Sequence, residues 1–443
     1  MNFNTIDELL EYTKQIRGKT FKEFDINHIL TSDSKDKGNL GKIIETGFYK
    51  YPNNNKAEAD FANLGVELKV SGYVKNKNGT ISAKERLVLG KIDYNNIIHE
   101  EFNFSKLIFK SKKILIIWYE YDREKEYKDF VITDFQFYDM TGDSLIIKND
   151  FELIKQKVLD GKAHLLSEGD TSYLGACTKG ATGKDRTTQP FSTELAMPRA
   201  YSLKNSYMTG VLRSVHLVLD VDNIEYKTIE EYVFAQIQKF IGKRQLDIFE
   251  QVTSKKITGK TPKQLNKMIS DELIGKDEEL PKKNPLFQKV NYIIKNLPVN
   301  ENGYPIERMS FRNLILSEFK DDWEDSFWKN YFEEVTLIVI CYRGNKGSKN
   351  GERILEGVKQ ITFNESDVEL FGRTYNQVKK AIENHDISLL PQPKRFEGQI
   401  LEVAPKGQKG DDAYINFFKK DVTKVCFMLD KDFLFAKLNE SSD

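Results

Sequence analysis

Hydrophobic and polar residues alternate at the end of the segment Asp60–Lys69, which reads DFANLGVELK. Side chains two positions apart on a β-strand lie on the same face. Glu67 and Lys69 therefore share one face, whereas Val66 and Leu68 point the other way. The pattern predicts a strand with one polar face and one face buried in a hydrophobic core.

Asp60 lies seven residues before Glu67, and the turn signal from Asn63 to Gly65 predicts that the chain folds back toward the strand. Mg2+ is a hard cation that takes one or two carboxylates together with water and substrate phosphate. We therefore predict that Asp60 and Glu67 hold Mg2+. Lys69 would position or help to deprotonate an attacking water and neutralise charge on the phosphate. The alternative is a solvated strand face with a salt-bridged lysine.

Two further patterned segments flank this strand in the sequence. Apolar residues between positions 40 and 44 have helical spacing for one buried stripe, and Glu45 lies at the edge of that stripe. Downstream, the lysine-rich segment 106–113 leads into an apolar strand predicted at Ile114–Tyr119. A basic cluster is therefore expected beside a core strand.

These segments together resemble the MutH family of GATC-directed endonucleases. The family element Lys-Gly-x-x-Gly-x-x-x-Glu is similar to Lys37–Glu45, and the element Asp-Phe-x-x-x-Gly-Val-Glu-Leu-Lys matches Asp60–Lys69 nearly letter for letter. The resemblance implies the restriction-endonuclease-like PD-(D/E)XK fold. It also implies a catalytic set that consists of Glu45, Asp60, Glu67, Lys69 and Lys110. In this set Lys110 is an added basic residue near the scissile phosphate.

The same resemblance implies which residues contact DNA. Tyr173–Lys184 resembles the loop by which the family reaches base edges in the major groove, and Arg199–Tyr207 resembles the closing helix that flanks the DNA. The residues that it assigns to DNA contact in the first half are Lys37, Lys179, Lys184, Arg199, Ser202 and Lys204. Cys177 replaces an arginine of the repair enzyme, and Ser202 replaces a tyrosine linked to methyl sensing. Both departures fit the restriction-enzyme branch of the family.

Length and composition favour an intracellular enzyme with more than one domain. A chain of 443 residues exceeds what one hydrophobic core usually serves. The N-terminal residues lack the basic and apolar regions of a signal peptide, and no apolar run has membrane length. The three cysteines have no zinc-ligand spacing, which suits buried thiols in a reducing compartment. We therefore predict a cytoplasmic protein with no membrane segment.

The charge balance and the sequence motifs limit which partners and cofactors the chain is predicted to bind. The 67 basic and 67 acidic residues give no global attraction to nucleic acid, so any DNA surface must be a local patch. No Gly-x-x-x-x-Gly-Lys-Ser/Thr motif occurs in the sequence. We therefore predict double-stranded DNA as the partner and no nucleotide cofactor.

The second half of the chain repeats motifs of the first half at an offset of about 223 to 227 residues. Glu85-Arg86-Leu87 returns as Glu307-Arg308-Met309, and the strand predicted at 114–119 returns at 337–342. Agreement in order and at a nearly constant offset predicts a duplicated domain. The alternative is independent use of common helix and turn signals.

The second copy lacks the carboxylates of the first copy. Alignment on the lysine of the strand places Ile293 opposite Glu67 and Ser270 opposite Glu45, and no nearby residue corresponds to Asp60. Because nothing remains to hold a metal ion, we predict that this copy is catalytically inert.

A basic segment that contains Lys406 and Lys409 persists in the second copy, where we predict a flexible loop. A domain that loses its chemistry but keeps a basic loop is predicted to bind DNA or to regulate the first domain. The alternative is a scaffold whose charges are merely solvated, since basic loops are common on protein surfaces.

The sequence therefore predicts two tandem α/β domains of the MutH type, each a mixed sheet flanked by helices. They span residues 1–220 and 221–443, with a junction near Val215–Thr228. The resemblance implies a Mg2+-dependent type II restriction endonuclease that cuts double-stranded DNA before the G of GATC. One active site per chain requires either two chains on the DNA, as in a homodimer, or two successive nicks. The alternatives are a mismatch-repair nicking endonuclease and a non-catalytic DNA-binding regulator.

Overall fold

The computed structural model describes residues 2–30, 38–51, 58–76, 79–179, 185–213, 226–284, 286–345, 347–409, 414, 417–418 and 423–440. The chain divides into two compact units, Met1–Ile224 and Glu225–Asp443. The boundary predicted between residues 220 and 221 lies outside the described residues, so it stays a prediction.

The first unit contains both strands and helices, as an α/β class requires. Its strands are β1 (Val66–Lys75), β2 (Ile81–Ala83), β3 (Leu87–Lys91), β4 (Lys113–Glu120), β5 (Val131–Asp139), β6 (Leu174–Thr178), β7 (Thr187–Gln189), β8 (Ser192–Ala196) and β9 (Arg199–Leu203). Its helices are α1 (Ile6–Thr13), α2 (Gly38–Ile43), α3 (Tyr94–Ile97), α4 (Lys106–Ser111), α5 (Ser144–Leu159) and α6 (Asn205–Arg213). A π-helical turn, Ile44–Phe48, continues α2.

Two sheets organise the first unit. One has the strand order β2-β1-β4-β5, in which β1 runs parallel to β4 and the other neighbours are antiparallel. The other has the order β3-β9-β6 and is antiparallel throughout. The strands β7 and β8 form a separate hairpin. The first sheet is mixed, as the sequence predicts, but the second sheet is an addition to that prediction.

The alternation predicted for β1 is confirmed. Val66 is 0% exposed and Leu68 is 8% exposed, and both belong to a hydrophobic cluster that includes the apolar stripe of α2. Leu40 and Ile43 of that stripe are each 1% exposed. The adjacent strand β4 is buried almost along its whole length, which is typical of a parallel strand covered on both faces. The core therefore holds β1 so that its polar residues face away from α2.

The second unit has its own set of strands and helices. Its strands are β10 (Tyr292–Val299), β11 (Met309–Asn313), β12 (Thr336–Arg343), β13 (Ile354–Ile361), β14 (Leu401–Lys409) and β15 (Thr423–Leu429). Its helices are α7 (Ile229–Ile237), α8 (Gln245–Thr253), α9 (Leu265–Leu273), α10 (Leu280–Lys283), α11 (Leu286–Lys289), α12 (Phe327–Glu334), α13 (Glu365–Glu383) and α14 (Lys431–Asn439).

The sheets of the second unit have the strand orders β10-β12-β13 and β11-β15-β14. The strands β10 and β12 are parallel, and the other neighbours are antiparallel. These orders and directions correspond strand by strand to β1-β4-β5 and β3-β9-β6 of the first unit. An aromatic cluster around Trp328 and Phe332 fills the core of the second unit.

Three segments differ from the sequence-based prediction. The loop predicted at Tyr173–Lys184 contains the strand β6, because Leu174–Thr178 pairs with β9. The helix predicted at 199–207 begins only at Asn205, because Arg199–Leu203 forms β9 and pairs with strands on both sides. Pairing on both sides satisfies the backbone hydrogen-bonding groups of this segment, so it is a strand and not the start of the helix that the resemblance implies. The loop predicted around Lys406 and Lys409 is part of β14, whose pairing with β15 shifts register between Pro405 and Lys409.

In the described part of the chain, no helix is both long enough and apolar enough to cross a membrane. The cysteines Cys177, Cys341 and Cys426 are free and buried. Burial of these thiols agrees with the prediction made from their spacing.

Candidate active site

A tight turn brings Asp60 back to β1. The Leu64 amide donates a hydrogen bond to the Phe61 carbonyl at 2.9 Å, and Gly65 has a φ of 62°, which favours glycine. The Asp60 Oδ2 atom accepts a hydrogen bond of 2.8 Å from the Leu68 amide. The predicted return of Asp60 to the strand is therefore confirmed.

Glu67 lies at the centre of the site and is 1% exposed. Its Oε1 atom accepts a hydrogen bond of 2.7 Å from Lys69 Nζ and lies 3.4 Å from Lys110 Nζ. Burial raises the pKa of the Glu67 carboxyl, and the two lysines partly oppose that rise. The Oε2 atom is buried and has no hydrogen-bond partner among the residues that the structure describes. One oxygen of Glu67 is therefore available to another ligand.

Glu45 joins the site from the π-helical turn that continues α2. Such turns are rare and often occur at functional sites. Burial raises the pKa of Glu45 to about 7, and the carboxylates of Asp60 and Glu67 contribute to the rise. The structure therefore brings all five predicted catalytic residues into one neighbourhood, in which carboxylates and ammonium groups act on each other.

The donors at this site suit a hard cation. No group of three or more His, Cys, Asp or Glu residues with metal-binding geometry occurs in the described part of the chain. Mg2+ needs only one or two carboxylates because water and substrate phosphate complete its shell. The buried Glu67 Oε2 atom, which lacks a partner among the described residues, is the kind of acceptor that a cation satisfies. The oxygens of Asp60 and Glu67 fit Mg2+ better than Zn2+, which prefers nitrogen and sulfur ligands.

The predicted DNA-contact residues of the first unit have different surroundings. Lys179 follows β6 and is exposed. Its backbone amide donates to the Pro198 carbonyl at 2.8 Å, which ties the chain to the strand β9. Lys37 and Lys184 lie outside the described residues. Lys179 is therefore an exposed cation that follows β6 within Tyr173–Lys184, the segment predicted to be the recognition loop.

Arg199, Ser202 and Lys204 are only 3%, 0% and 2% exposed, respectively. Arg199 Nη1 donates to the Ala176 carbonyl at 2.9 Å, and Lys204 Nζ donates to the Thr171 carbonyl. This burial corrects the expectation that the three side chains touch DNA directly. Arg199 and Lys204 instead donate to carbonyls in β6 and just before it, whereas the Ser202 hydroxyl is buried with no hydrogen-bond partner among the described residues.

The strand β10 places Ile293 where β1 places Glu67. Glu67 pairs with Ile114 of β4, and Ile293 pairs with Leu337 at the corresponding position of β12. The strand register and the sequence repeat therefore give the same alignment. An apolar side chain stands in the second unit at the position of the central carboxylate.

Two lysines of the second unit donate to consecutive carbonyls of β11. Lys295 Nζ donates to the Ser310 carbonyl at 2.6 Å, and Lys406 Nζ donates to the Phe311 carbonyl. Burial lowers the pKa of Lys295 to about 8, and the nearby Lys406 ammonium contributes. Lys406 is half-buried, and the side chain of Lys409 lies outside the described residues.

Sequence reasoning missed an Arg–Glu ion pair in each unit, with a buried glutamate in both. Arg86 Nη1 lies 2.7 Å from Glu168 Oε1, and the side chains are 17% and 6% exposed, respectively. Gly175 leaves room for this pair, because a Cβ atom there would lie 2.1 Å from Glu168 Oε2. In the second unit Arg308 Nε lies 2.7 Å from Glu402 Oε2. The repeated Glu-Arg dipeptide in the sequence was the signal that could have revealed both arginines.

An α/β fold that gathers carboxylates and lysines near the start of β1 has the groups that phosphodiester cleavage requires, which suits a nuclease. The family model for MutH, described as DNA mismatch repair enzyme MutH, matches residues 49–150. This range contains Asp60, Glu67, Lys69 and Lys110.

Comparison with curated proteins extends the similarity over most of the chain. Over 420 residues the chain is 31% identical to the type II restriction enzyme Sau3AI of Staphylococcus aureus, which covers 89% of this chain and 82% of that enzyme. It is also 45% identical over 65 residues to the DNA mismatch repair protein MutH of Histophilus somni strain 2336, or 14% of this chain and 29% of that protein. The chain therefore belongs to the MutH-like restriction endonuclease family.

Proposed function

We propose that the chain is a Mg2+-dependent type II restriction endonuclease that cuts double-stranded DNA before the G of GATC. The observation that carries the proposal is the Glu67 carboxylate, buried beside Asp60, bonded to Lys69 and close to Lys110, with one oxygen that lacks a partner among the described residues. The site GATC itself rests on the resemblance of residues 37–69 to the MutH motifs.

Asp60 and Glu67 would hold the cation, which when bound supplies Lewis-acid stabilisation of the phosphate and a lower pKa for water. The side chains of the protein do the rest. Lys69 Nζ, fixed at 2.7 Å from Glu67 Oε1, orients the attacking water and neutralises charge that develops on the phosphate. Lys110 of α4 brings a second positive charge close to the Glu67 carboxylate.

Glu45 has the role of a third carboxyl group at the edge of the metal site. Its pKa of about 7 reflects burial and the proximity of two other carboxylates. A cation between Asp60 and Glu67 would offset the mutual repulsion of these groups. Glu45 would then complete the catalytic set implied by the family motif.

DNA recognition is proposed for the segment that follows β6. Lys179 leads into it, and Lys184 and Lys37 are further proposed contacts that lie outside the described residues. In the major groove each base pair presents a distinct pattern of donors and acceptors, so a loop of this kind can specify sequence. Arg199, Ser202 and Lys204 would act through the sheet that supports the loop.

The second unit is proposed to be a degenerate duplicate of the first, which binds DNA without cutting it, with domains at 1–220 and 221–443. The matching strand orders and the matching register of Ile293 and Glu67 support this proposal. Loss of the carboxylate removes the metal site. The retained cations Lys406 and Lys409 would contact phosphates, which position a protein on DNA but carry no sequence information.

Two alternative functions remain distinguishable. A mismatch-repair nicking endonuclease is supported by the local match to MutH, but that match covers 14% of the chain, whereas the restriction enzyme match covers 89%. A non-catalytic DNA-binding regulator is disfavoured by the assembled Glu67, Lys69 and Lys110 cluster. One active site per chain requires two chains on the palindrome or two successive nicks.

The proposed function is tested by incubation of the purified chain with supercoiled plasmid and Mg2+, followed by mapping of the DNA ends. We expect linear products whose ends lie before the G of GATC, and no products when the cation is chelated. Open circles as the final product would indicate a nicking enzyme. Intact plasmid, together with measurable DNA binding, would support the regulator instead.

The role of the second unit is tested by the paired changes Lys406→Ala and Lys409→Ala in the full chain. Loss of phosphate contacts should weaken DNA binding and flatten its dependence on salt concentration, by up to about one unit of slope per contact. The matched control is Lys380→Ala, an exposed lysine on α13 of the same unit. An unchanged salt slope in the paired variant would contradict DNA binding by this segment.

A further inference from the structure

The helix α4 has a stripe of two lysines and one aromatic ring on its solvent-facing side. Lys106, Phe109 and Lys110 lie at positions i, i+3 and i+4, which share one face of a helix. Phe109 is 71% exposed, whereas Leu107 and Ser111 on the other face are 4% and 1% exposed, respectively. The helix therefore packs through one face and leaves the basic-aromatic face open.

A second ring extends this stripe at the start of the helix. Phe104 is 84% exposed and immediately precedes the N-cap Ser105. Ser105 Oγ accepts a hydrogen bond from the Ile108 amide at 3.3 Å and donates one to the Phe102 carbonyl at 2.7 Å. The buried serine therefore fixes the backbone from which the exposed ring of Phe104 projects.

The stripe is continuous with the candidate active site. Lys110 Nζ lies 3.4 Å from Glu67 Oε1, and Phe109 is its immediate neighbour in the chain. Any phosphodiester that reaches Glu67 and Lys69 therefore passes close to α4. A basic groove that carries exposed aromatic rings is the usual means by which proteins hold a nucleic acid strand and stack on its bases.

The corresponding helix of the second unit, α12, lacks this surface. Its N-cap Ser326 matches Ser105, since its Oγ also accepts from the amide three residues on, that of Lys329, at 3.0 Å. The matched stripe positions are Phe327, Asn330 and Tyr331, and none of them is a lysine.

The aromatic rings of α12 pack on neighbours within the second unit, although Phe327 remains 46% exposed. The Arg312 guanidinium lies 4.7 Å from the centre of the Phe327 ring, and the Tyr331 ring stacks on Phe327 at 5.8 Å. Phe104 corresponds to Asp325 in this alignment. Asp325 and Asn330 thus stand where the first unit has Phe104 and Phe109, so the same local fold forms without rings at these two positions.

We infer that Phe104 and Phe109 are DNA-contact residues that stack on bases next to the scissile phosphate, while Lys106 holds the neighbouring backbone. This inference rests on the proposed function, because it takes DNA as the ligand of the site. The rings position the strand and take no part in bond cleavage. Base stacking is tolerant of sequence, so this surface adds affinity and strand distortion while the recognition loop supplies specificity.

The test uses the full chain with Phe104→Ala, Phe109→Ala, Phe109→Trp and Phe109→Leu, on duplexes with 2-aminopurine beside the scissile position. Each alanine variant should lose about five- to a hundredfold in duplex affinity, which is the effect of one lost base–aromatic stack. The rise in 2-aminopurine fluorescence that reports an unstacked base should shrink in parallel. Phe109→Trp should restore both signals, and Phe109→Leu should restore neither. Phe234→Ala, an exposed ring on α7, is the matched control and should behave as the parent chain.

The outcomes separate this inference from the function on which it rests. A parent chain that fails to cut GATC duplexes refutes the proposed function. A parent chain that cuts, with alanine variants that bind and cut within twofold of it, overturns the inference alone. Full rescue by Phe109→Leu also overturns it, because an aliphatic side chain supports apolar packing against a second copy of the chain but cannot stack on a base.

Discussion

The two units of the chain place a lysine at the same point of a parallel strand pair but surround it differently. Lys69 lies opposite Ile116, and its ammonium group is bonded to the Glu67 carboxylate at 2.7 Å. Lys295 lies opposite Val339, and its ammonium group donates to a backbone carbonyl. With no carboxylate to oppose burial, the pKa of Lys295 falls to about 8. The fold therefore fixes the position of the lysine in both units, whereas the carboxylate beside it is present only in the first.

The two units also share an Arg–Glu ion pair, but the glutamate comes from a different position in each unit. Arg86 and Arg308 each precede the first residue of the corresponding strands β3 and β11. The first unit supplies the carboxylate from Glu168, outside the sheet, and keeps Gly175 in β6. In the second unit Glu402 supplies the carboxylate. Glu402 is the second residue of β14, and Gly175 is the second residue of β6, so the two residues occupy corresponding positions. Both units therefore have the Arg–Glu ion pair, although the glutamate lies at a different position of the fold in each.

The largest expected effect follows from removal of the active-site amine. Lys69→Ala should lower the rate of DNA cleavage by about a hundredfold or more, because the lost ammonium stabilises charge in the transition state. DNA binding should change little, since Lys69 is bonded to Glu67 and not exposed to base edges. Single-turnover cleavage of a GATC duplex measures the effect. The matched control is Lys75→Ala on the exposed end of β1, and equal rates for the two variants would contradict this assignment.

The ion pairs should differ in what they contribute to stability. Glu168→Ala leaves a buried arginine without its carboxylate and should cost about 3 kcal/mol of unfolding free energy. Glu402→Ala should cost less, because Arg308 is 37% exposed and water can solvate it. Chemical unfolding of the full chain, followed through the transition of each unit, gives both values. A larger loss for Glu402→Ala than for Glu168→Ala would reverse the comparison.

The sequence predicts the parts of the site that depend on local pattern. Alternation places Glu67 and Lys69 on one face, the Asn63–Gly65 turn returns Asp60, and both are seen in the structure. These features depend on residues that are close in the sequence, so the local sequence pattern is enough to predict them. Helical spacing places Glu45 only at the edge of a buried stripe. Its place beside the other carboxylates is implied by the family resemblance, and the π-helical turn is not predicted.

What the sequence does not predict depends on contacts between distant segments. The family resemblance implies a helix that begins at Arg199, but Arg199–Leu203 becomes the central strand of a sheet because two other strands pair with it. The burial of Ser202 follows from that pairing, and so does its loss as a DNA contact. The Arg86–Glu168 pair joins residues 82 positions apart, which no local periodicity reveals.

The lowered pKa of Lys295 makes a prediction about pH. Its pKa is about 8 in the folded chain and near 10.4 when unfolded, so between these values the unfolded chain binds more protons and stability rises with pH. Lys295→Met removes the cost of the buried charge, so the variant should be more stable than the parent at pH 7 or so. The advantage should shrink toward pH 10 or so. Unfolding midpoints of parent and variant across this range measure it, and a constant difference would contradict the burial of a charged Lys295.

The smallest effect concerns the helix caps that the two units share. Ser105 and Ser326 each accept a hydrogen bond from the backbone at the start of α4 and α12, respectively. Either serine replaced by alanine should cost about 1 kcal/mol. Because the two caps are alike, the losses should be equal within error in unfolding experiments. If only one of the two alanine variants lost stability, the two helix caps would not be equivalent.

The central claim is that the chemistry of the chain resides at Glu67 in the first unit and that the second unit has none. The most direct measurement is the single-turnover rate of cleavage in Mg2+ by the full chain with Glu67→Gln, on a duplex with one GATC site. This variant keeps the size of the side chain but removes the charge that would hold the cation. We predict a loss of about a hundredfold or more with DNA binding retained, and no loss for the control Glu120→Gln on β4. Cleavage by Glu67→Gln within threefold of the parent would contradict the account, because another site on the chain would then be doing the cutting.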